Sequence, residues 1–235
     1  MTDDGAQRSL PANRRRILLL VGAAGAGKGT QADILSRELG LVHLASGDLF
    51  RQALRDGTRL GDQAREYMER GDLVPDGITI GMFMEQLAMP SARHGALLDG
   101  FPRTVAQARA LDDTLAGQGE RIDRVLSIDV PVDELVERLA GRWVCPSCGT
   151  AYHLQTDPPR VPGICDRDGT SLEQRDDDRP EVVRARLAKQ IPPMREVVDH
   201  YERSGVVSRV DGRRPIAEVT RQILEALNDA GLTVD

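Results

Sequence analysis

Between Ile17 and Val21 the chain is apolar without interruption, and the run Gly22-Ala23-Ala24-Gly25-Ala26-Gly27-Lys28-Gly29-Thr30 follows at once. An unbroken apolar run of this length reads as a strand buried on both faces, as in a parallel sheet. Beyond Lys28 the period changes: Ala32, Leu35 and Leu39 recur at helical spacing, and Gly40 marks the stop. Strand, glycine turn and helix therefore come in that order. Two more buried strands are predicted at Ala96-Leu97-Leu98, ahead of Asp99-Gly100, and over 125–130, each leading into a helix at about 105–115 and 133–140. A weaker strand at 206–210 precedes a helix over about 216–227. Repeated strand-then-helix order means right-handed crossovers onto a mostly parallel sheet, whose ligands bind at the carboxyl ends of strands.

Two regions break this rhythm. Residues 46–75 read as short helices interrupted by Gly57, Gly61 and Gly71, with no strand between them. Residues 142–178 are rich in Pro, Gly, Asp and Cys and lack helical period, so they read as a small insert. No internal repeat is evident. Ile191-Pro192-Pro193 predicts a kink or break in an otherwise helical segment. Residues 1–13, polar and containing Pro11, read as a disordered lead.

Composition narrows the function classes. At 235 residues the chain accommodates one α/β core with inserts, or two modest domains. A net charge of -6 argues against a general nucleic-acid binder, although nearly all of the 31 basic residues are Arg, which suits bidentate phosphate recognition. No apolar run approaches the ~18 residues of a membrane span, and Asp3 and Asp4 fit neither a secretory signal nor a transit peptide. A cytoplasmic protein without a membrane partner is expected. The 3 cysteines leave no complete set of internal pairs, which points to free thiols or a metal.

The segment Gly22-x4-Gly27-Lys28-Gly29-Thr30 fits a phosphate loop with one extra residue between Lys and Thr. Glycines let backbone N–H groups converge on phosphate oxygens, the following helix offers its positive end, and Lys28 reaches the terminal phosphates. The plain alternative, a glycine-rich strand-to-helix turn, has the same composition. Asp99, at a strand end, can hold Mg²⁺ through water or simply form the turn before Gly100.

The Gly-Lys-Gly-Thr ending resembles that of adenylate kinase. The resemblance spans about residues 16–227 and includes Ser46-Gly47-Asp48-Leu49-Phe50-Arg51, Asp99-Gly100-Phe101-Pro102-Arg103-Thr104, Gln107 and Arg175-x-Asp177-Asp178 in the family's order. It implies a doubly wound five-stranded parallel sheet with helices on both faces, a helical acceptor-binding insert and a zinc-binding lid. The core would comprise 14–45, 76–141 and 179–235, the acceptor insert 46–75 and the lid 142–178. ATP would lie against Gly25, Ala26, Gly27, Lys28, Gly29, Thr30, Arg138, Arg142 and Arg214. AMP would lie against Ser46, Arg51, Leu73, Val74, Gly100, Arg103, Gln107, Arg175 and Arg186. Lys28, Arg103, Arg138, Arg142, Arg175 and Arg186 would surround the transferred phosphoryl group, whose dispersed negative charge demands basic neighbours. Ser46 also suits an N-cap near Asp48. Asp177 and Asp178 can pair with arginines, and Asp178 can equally cap a helix at Pro180. The family's habit implies a monomer. Ala23 and Ala24 depart from the family's usual prolines, and Trp143 stands where another basic residue is frequent.

Cys145-Pro146-Ser147-Cys148 and Cys165-Asp166-Arg167-Asp168 form C-x2-C-x16-C-x2-D. Two such hooks in a short irregular segment are a zinc signature, with Asp168 oxygen as fourth ligand. A tetrahedral ion without an open position would staple an insert that buries little apolar surface. His153 is a rival ligand inside the loop, and Tyr152 can stack or pack. The resemblance implies reversible, Mg²⁺-dependent transfer of the ATP γ-phosphate to AMP, giving two ADP. A uridylate or cytidylate kinase, a zinc-ribbon nucleic-acid-binding ATPase and a non-enzymatic nucleotide sensor are the competing readings.

Overall fold

The computed structural model describes residues 15–70, 74–154, 157–174 and 178–232. In chain order they form β1 (Arg16–Val21), α1 (Lys28–Leu39), β2 (Val42–Ala45), α2 (Ser46–Arg55), α3 (Arg59–Arg70), α4 (Asp76–Leu87), β3 (Gly95–Asp99), α5 (Val105–Ala116) and β4 (Arg124–Asp129). Then come α6 (Val132–Ala140), β5 (Arg142–Val144), β6 (Ala151–His153), α7 (Pro180–Glu202), β7 (Val207–Asp211) and α8 (Ile216–Asn228). The N-terminal lead over 1–13 and Gly71 fall outside the described residues. Among the described residues, no helix is long and apolar enough to cross a membrane.

Among the described residues, chain contacts group those up to 22, those within 27–129 and those from 193 onward in one unit, and 23–26 with those within 130–192 in a second. The first is built on a five-stranded sheet of order β2-β3-β1-β4-β7, parallel throughout. Ile17, Leu19, Ala96, Leu98 and Val125 share one sheet face and its core with Ala108, Leu111 and Leu115 of α5. Leu18, Leu20, Leu97, Leu126 and Ile128, on the other face, are just as buried. That is why the strands read as continuous apolar runs. Buried Ala32, Leu35 and Leu39 of α1 lie outside the first core, and α1 contacts β3 and α8. The helices after β1 and β3 thus leave toward opposite faces, which opens a crevice at the ends of these two neighbouring strands.

Several expectations are revised. The edge strand β2 was not predicted, because four residues with His43 among them carry too little apolar period. The helix α4 was missed as well, since Ile78, Thr79 and Ile80 are β-branched and Gly77 and Gly81 weaken helix propensity. Its stability comes from tertiary burial of Thr79, Met82, Phe83 and Leu87. Gly61 does not break a helix. It lies inside α3, where a Cβ would stand 2.3 Å from the Ala53 carbonyl oxygen, so glycine permits α2 and α3 to approach. Gly57, by contrast, does separate them. Of the kink or break expected at Pro192 and Pro193, a break is absent, for α7 runs continuously over Pro180–Glu202. Two lost N–H donors are outweighed by burial on either side, with Val183 and Leu187 before them and Val197, Val198 and Tyr201 after. The Tyr201 hydroxyl and His200 Nε2 also bind Asp112 of α5, at 3.0 and 2.8 Å.

The second unit carries α6 and the two-stranded antiparallel pair β5-β6, with Trp143 opposite Tyr152. Beside this pair, Cys145, Tyr152, Cys165 and Leu172 form a small buried cluster.

Candidate active site and metal group

The turn after β1 depends on left-handed glycines, with φ of 85° at Gly25 and 92° at Gly27. Gly27 caps α1 without a side chain, and the first turn of α1 contains no acidic residue. First-turn N–H groups have no partner inside a helix, and no carboxylate here competes with an incoming anion for the positive end. Gly27, Gly29 and Thr30 are exposed. Lys28 Nζ donates to the Gly22 carbonyl at 2.9 Å, which turns the ammonium back toward the start of the loop.

At the neighbouring strand end, the chain turns at Gly100 with φ 75°. A Cβ there would stand 2.8 Å from Ser46 Oγ, so backbone and space both demand glycine. The capping role expected of Ser46 is corrected, since α2 begins at Ser46 itself, behind Ala45, with no side-chain cap. The buried Ser46 hydroxyl instead donates to the Gly100 carbonyl at 3.1 Å and accepts from Arg103 Nη2 at 3.3 Å. Arg103 Nε donates to the same carbonyl at 2.8 Å. Gln107 Oε1 accepts the Arg103 backbone N–H at 2.7 Å, while Thr104 Oγ1 accepts from Gln107 N and caps α5. Ser46, Gly100, Arg103 and Gln107 are therefore one hydrogen-bonded group, and the carbonyl end of Gln107 is committed to holding Arg103. Arg103 keeps solvent access, yet neighbouring protein partly desolvates its guanidinium and lowers its pKa, with the charge of Asp99 opposing.

Arg51 is not drawn into this group by any described contact; its guanidinium pairs with Asp48 on the same helix, at 2.5 Å. Val74 is buried, and Leu73 lies outside the described residues. Arg214 is exposed, 3.4 Å from Asp211 Oδ2. A residue passed over in the sequence stands beside Asp99. His43 Nε2 is 3.6 Å from Asp99 Oδ2, and its Nδ1 is 3.5 Å from Asp33 Oδ1. Burial by itself lowers the His43 pKa, but Asp99 and then Asp33 together outweigh it and raise the value above normal. The available signal was a lone polar residue within Val42-His43-Leu44.

In the second unit, Arg138 pairs with Glu134 one helical turn away, at 2.5 Å. Asp178, fully buried, accepts two bonds from Arg142, Nε at 2.8 Å and Nη2 at 2.6 Å, and Arg186 Nη2 lies 3.6 Å from it. The arginine pairing expected for Asp178 is observed. Arg175 and Asp177 lie outside the described residues.

Cys145, Cys148, Cys165 and Asp168 bring their ligand atoms within 4.8 Å of one another. Cys145 Sγ is 3.4 Å from Asp168 Oδ1, and Cys148 Sγ is 3.6 Å from Cys165 Sγ. A zinc tetrahedron with arms of about 2.0–2.3 Å has edges of about 3.3–3.8 Å, so these two separations match that ion and the four residues form a group that could hold it. His153 is no part of the group and lies against Gly141, where a Cβ would meet its Nε2 at 2.4 Å. The hooks are also copies of one turn, a six-residue local repeat: C-x2-C-G-T at 145–150 and C-x2-D-G-T at 165–170. In each, the first Cys N–H donates to the Thr carbonyl, at 2.9 and 2.8 Å, and the Gly N–H to the Cys carbonyl, at 3.0 Å in both. Hydrogen bonds from Thr150 lower the Cys148 pKa, whereas burial pushes the Cys145 thiol up. The Thr170 backbone N–H holds Asp168 well below the usual carboxylate range.

A glycine loop between β1 and an uncapped helix, in a sheet of order β2-β3-β1-β4-β7, places the chain among phosphate-loop nucleotide-binding α/β proteins. The adenylate kinase family model matches residues 20–206. An adenylate kinase of Oceanobacillus iheyensis is 49% identical over 206 residues, covering 88% of this chain and 96% of that protein. One from Staphylococcus aureus is 45% identical over 211 residues, covering 90% and 98%. The chain belongs to the adenylate kinase family.

Proposed function

We propose that the chain catalyses reversible transfer of the γ-phosphoryl group of ATP to AMP, giving two ADP, with Mg²⁺ accompanying ATP. The observation that carries this reading is the pairing of β1 with β3, which sets Leu20 opposite Asp99. Strand ends about 4.8 Å apart then carry the Gly22, Gly27 and Lys28 turn on one and the Gly100–Arg103 turn on the other. Donor phosphates on the first and acceptor phosphate on the second would meet without either loop reaching. Phosphoryl transfer needs little covalent help from the protein, so adjacent anion-binding loops supply most of what it requires.

Within this reading Lys28 and Arg103 act directly on phosphate, and Ser46 and Gln107 hold Arg103. Arg51, Leu73 and Val74 join the AMP side, and Arg214 the ATP side. The remaining basic roles fall to Arg138, Arg142, Arg175 and Arg186. Asp99 would hold Mg²⁺ through water, since that ion keeps much of its hydration shell. Cys145, Cys148, Cys165 and Asp168 would hold a structural zinc. Residues 46–75 serve as the acceptor insert and 142–178 as the lid of a cytoplasmic monomer. Steady-state assays across AMP, UMP, CMP and GMP test the acceptor, with AMP expected to give the highest kcat/KM. A pyrimidine acceptor ranking above AMP would overturn the assignment.

A further inference from the structure

The two metal hooks repeat one backbone pattern but not one environment. After the first cysteine of each stands Pro146 in one and Asp166 in the other, and only Asp166 has an N–H to donate. That N–H is given to the Tyr152 hydroxyl oxygen at 2.7 Å. The same hydroxyl lies 3.5 Å from Cys165 Sγ, and Tyr152 is buried in the cluster formed with Cys145, Cys165 and Leu172.

We propose that the Tyr152 hydroxyl is an outer-shell donor to the Cys165 thiolate and a positioning residue of the metal group. This rests on the zinc reading given above. The direction of the hydrogen bond follows from its partners. The phenolic oxygen already accepts from Asp166, and a metal-bound thiolate has no proton to give, so the phenol proton turns toward sulfur. The need for it follows from charge. Three thiolates and one carboxylate around Zn²⁺ leave two negative charges uncompensated, and Cys145 and Cys165 are 0% and 2% exposed. Buried charge of this kind requires donors. Backbone N–H groups supply some, from Cys148 to Cys145 Sγ and from Arg167 to Cys165 Sγ, both at 3.4 Å. Tyr152 adds a further donor at Cys165. Such outer partners orient a ligand and tune its basicity.

The test uses the full zinc-loaded chain and the variant Tyr152→Phe, which keeps the ring and removes only the oxygen. Competition with a chromophoric chelator is expected to show zinc held about 10–100-fold more weakly. The sulfur-to-metal charge-transfer band of the Co²⁺-substituted variant is expected to shift, which loss of packing alone would not cause. Unchanged zinc affinity together with an unchanged cobalt band would overturn the proposal while leaving the zinc reading intact. A wild-type chain that takes up no zinc would overturn both. Should the phenylalanine variant fail to fold, Asp166→Pro copies the first hook and removes the N–H that aims the hydroxyl. A several-fold loss of zinc affinity then supports the proposal, and no loss overturns it.

Discussion

The turn from Asp99 to Gln107 and the paired hooks from Cys145 to Asp168 both hold a few polar side chains in fixed relation, by different means. The first stands on a sheet. Leu97 and Leu98 before it are fully buried, Phe101 within it stacks on Phe83 at 4.8 Å, and both rings join the main core. Apolar burial puts the backbone in place, and the bonds among Ser46, Gly100, Arg103 and Gln107 only refine it. The hooks have a cluster of four buried residues beside Trp143, two of them cysteines offered to the metal group. So little apolar burial cannot offset the chain entropy of an irregular insert, at about 1–2 kcal/mol per residue. On the zinc reading proposed above, order there would come from polar ligation. A site resting on a sheet should therefore survive the loss of a polar partner, and a site made of ligands should not.

Zinc withdrawal is the largest test of that contrast. Structural zinc binding in small peptides amounts to about 10–16 kcal/mol, so a chelator under reducing conditions is expected to lower Tm substantially, with bound zinc measured by elemental analysis. An unchanged Tm in chelator would mean that packing holds the hooks after all. Next in size is Arg103→Ala. Its kcat is expected to fall about 10³–10⁵-fold, equivalent to roughly 4–7 kcal/mol of barrier, while Tm stays near wild type because the sheet remains. Near-normal transfer in a coupled assay would remove Arg103 from its assigned role.

Asp178→Ala should come third. It removes the fully buried carboxylate that binds Arg142 and approaches Arg186, whose side chains are 25% and 19% exposed. Partial access to water keeps the cost below that of a sealed pair, at roughly 2–3 kcal/mol in denaturant titration. Gly100→Ala is milder still. A Cβ would press on Ser46 Oγ at 2.8 Å, and the φ of 75° is unfavourable for alanine, so about 1–2 kcal/mol is expected along with reduced kcat. If activity were untouched, Ser46 would have no part in holding Arg103.

The sequence exposed whatever was periodic or spaced. Unbroken apolar runs marked β1 and β3, a mostly apolar one marked β4, and the C-x2-C and C-x2-D hooks marked the candidate metal group. What escaped depends on contacts between distant segments. Gly61 looked like a stop because its purpose, admitting the Ala53 carbonyl, lies on another helix. Pro192 and Pro193 looked like a break because local rules ignore the burial and the Asp112 clamp that hold α7. Ser46 looked like a cap because its partner Gly100 is 54 residues away in sequence. Tyr152 was visible as an aromatic, but only the folded insert shows its hydroxyl near Cys165.

The smallest predicted effect concerns His43, the one titrating side chain described against Asp99 and Asp33. Its ring is 20% exposed, and Asp33 is 65% exposed, so solvent screens much of that second interaction. Because the folded pKa is raised above the ordinary value of 6.5, the folded state binds a proton more tightly than the unfolded chain does. The stabilisation is then fully present below the ordinary value and is lost as pH climbs through the raised one. Urea titrations of the wild type and His43→Gln should differ more at about pH 5.5 than at about pH 8.5, with the wild type the more stable at the lower pH. A difference that stays flat with pH, or grows as pH rises, would mean that the two carboxylates do not hold the proton. The polar part of the sheet-borne turn would then end at Arg103.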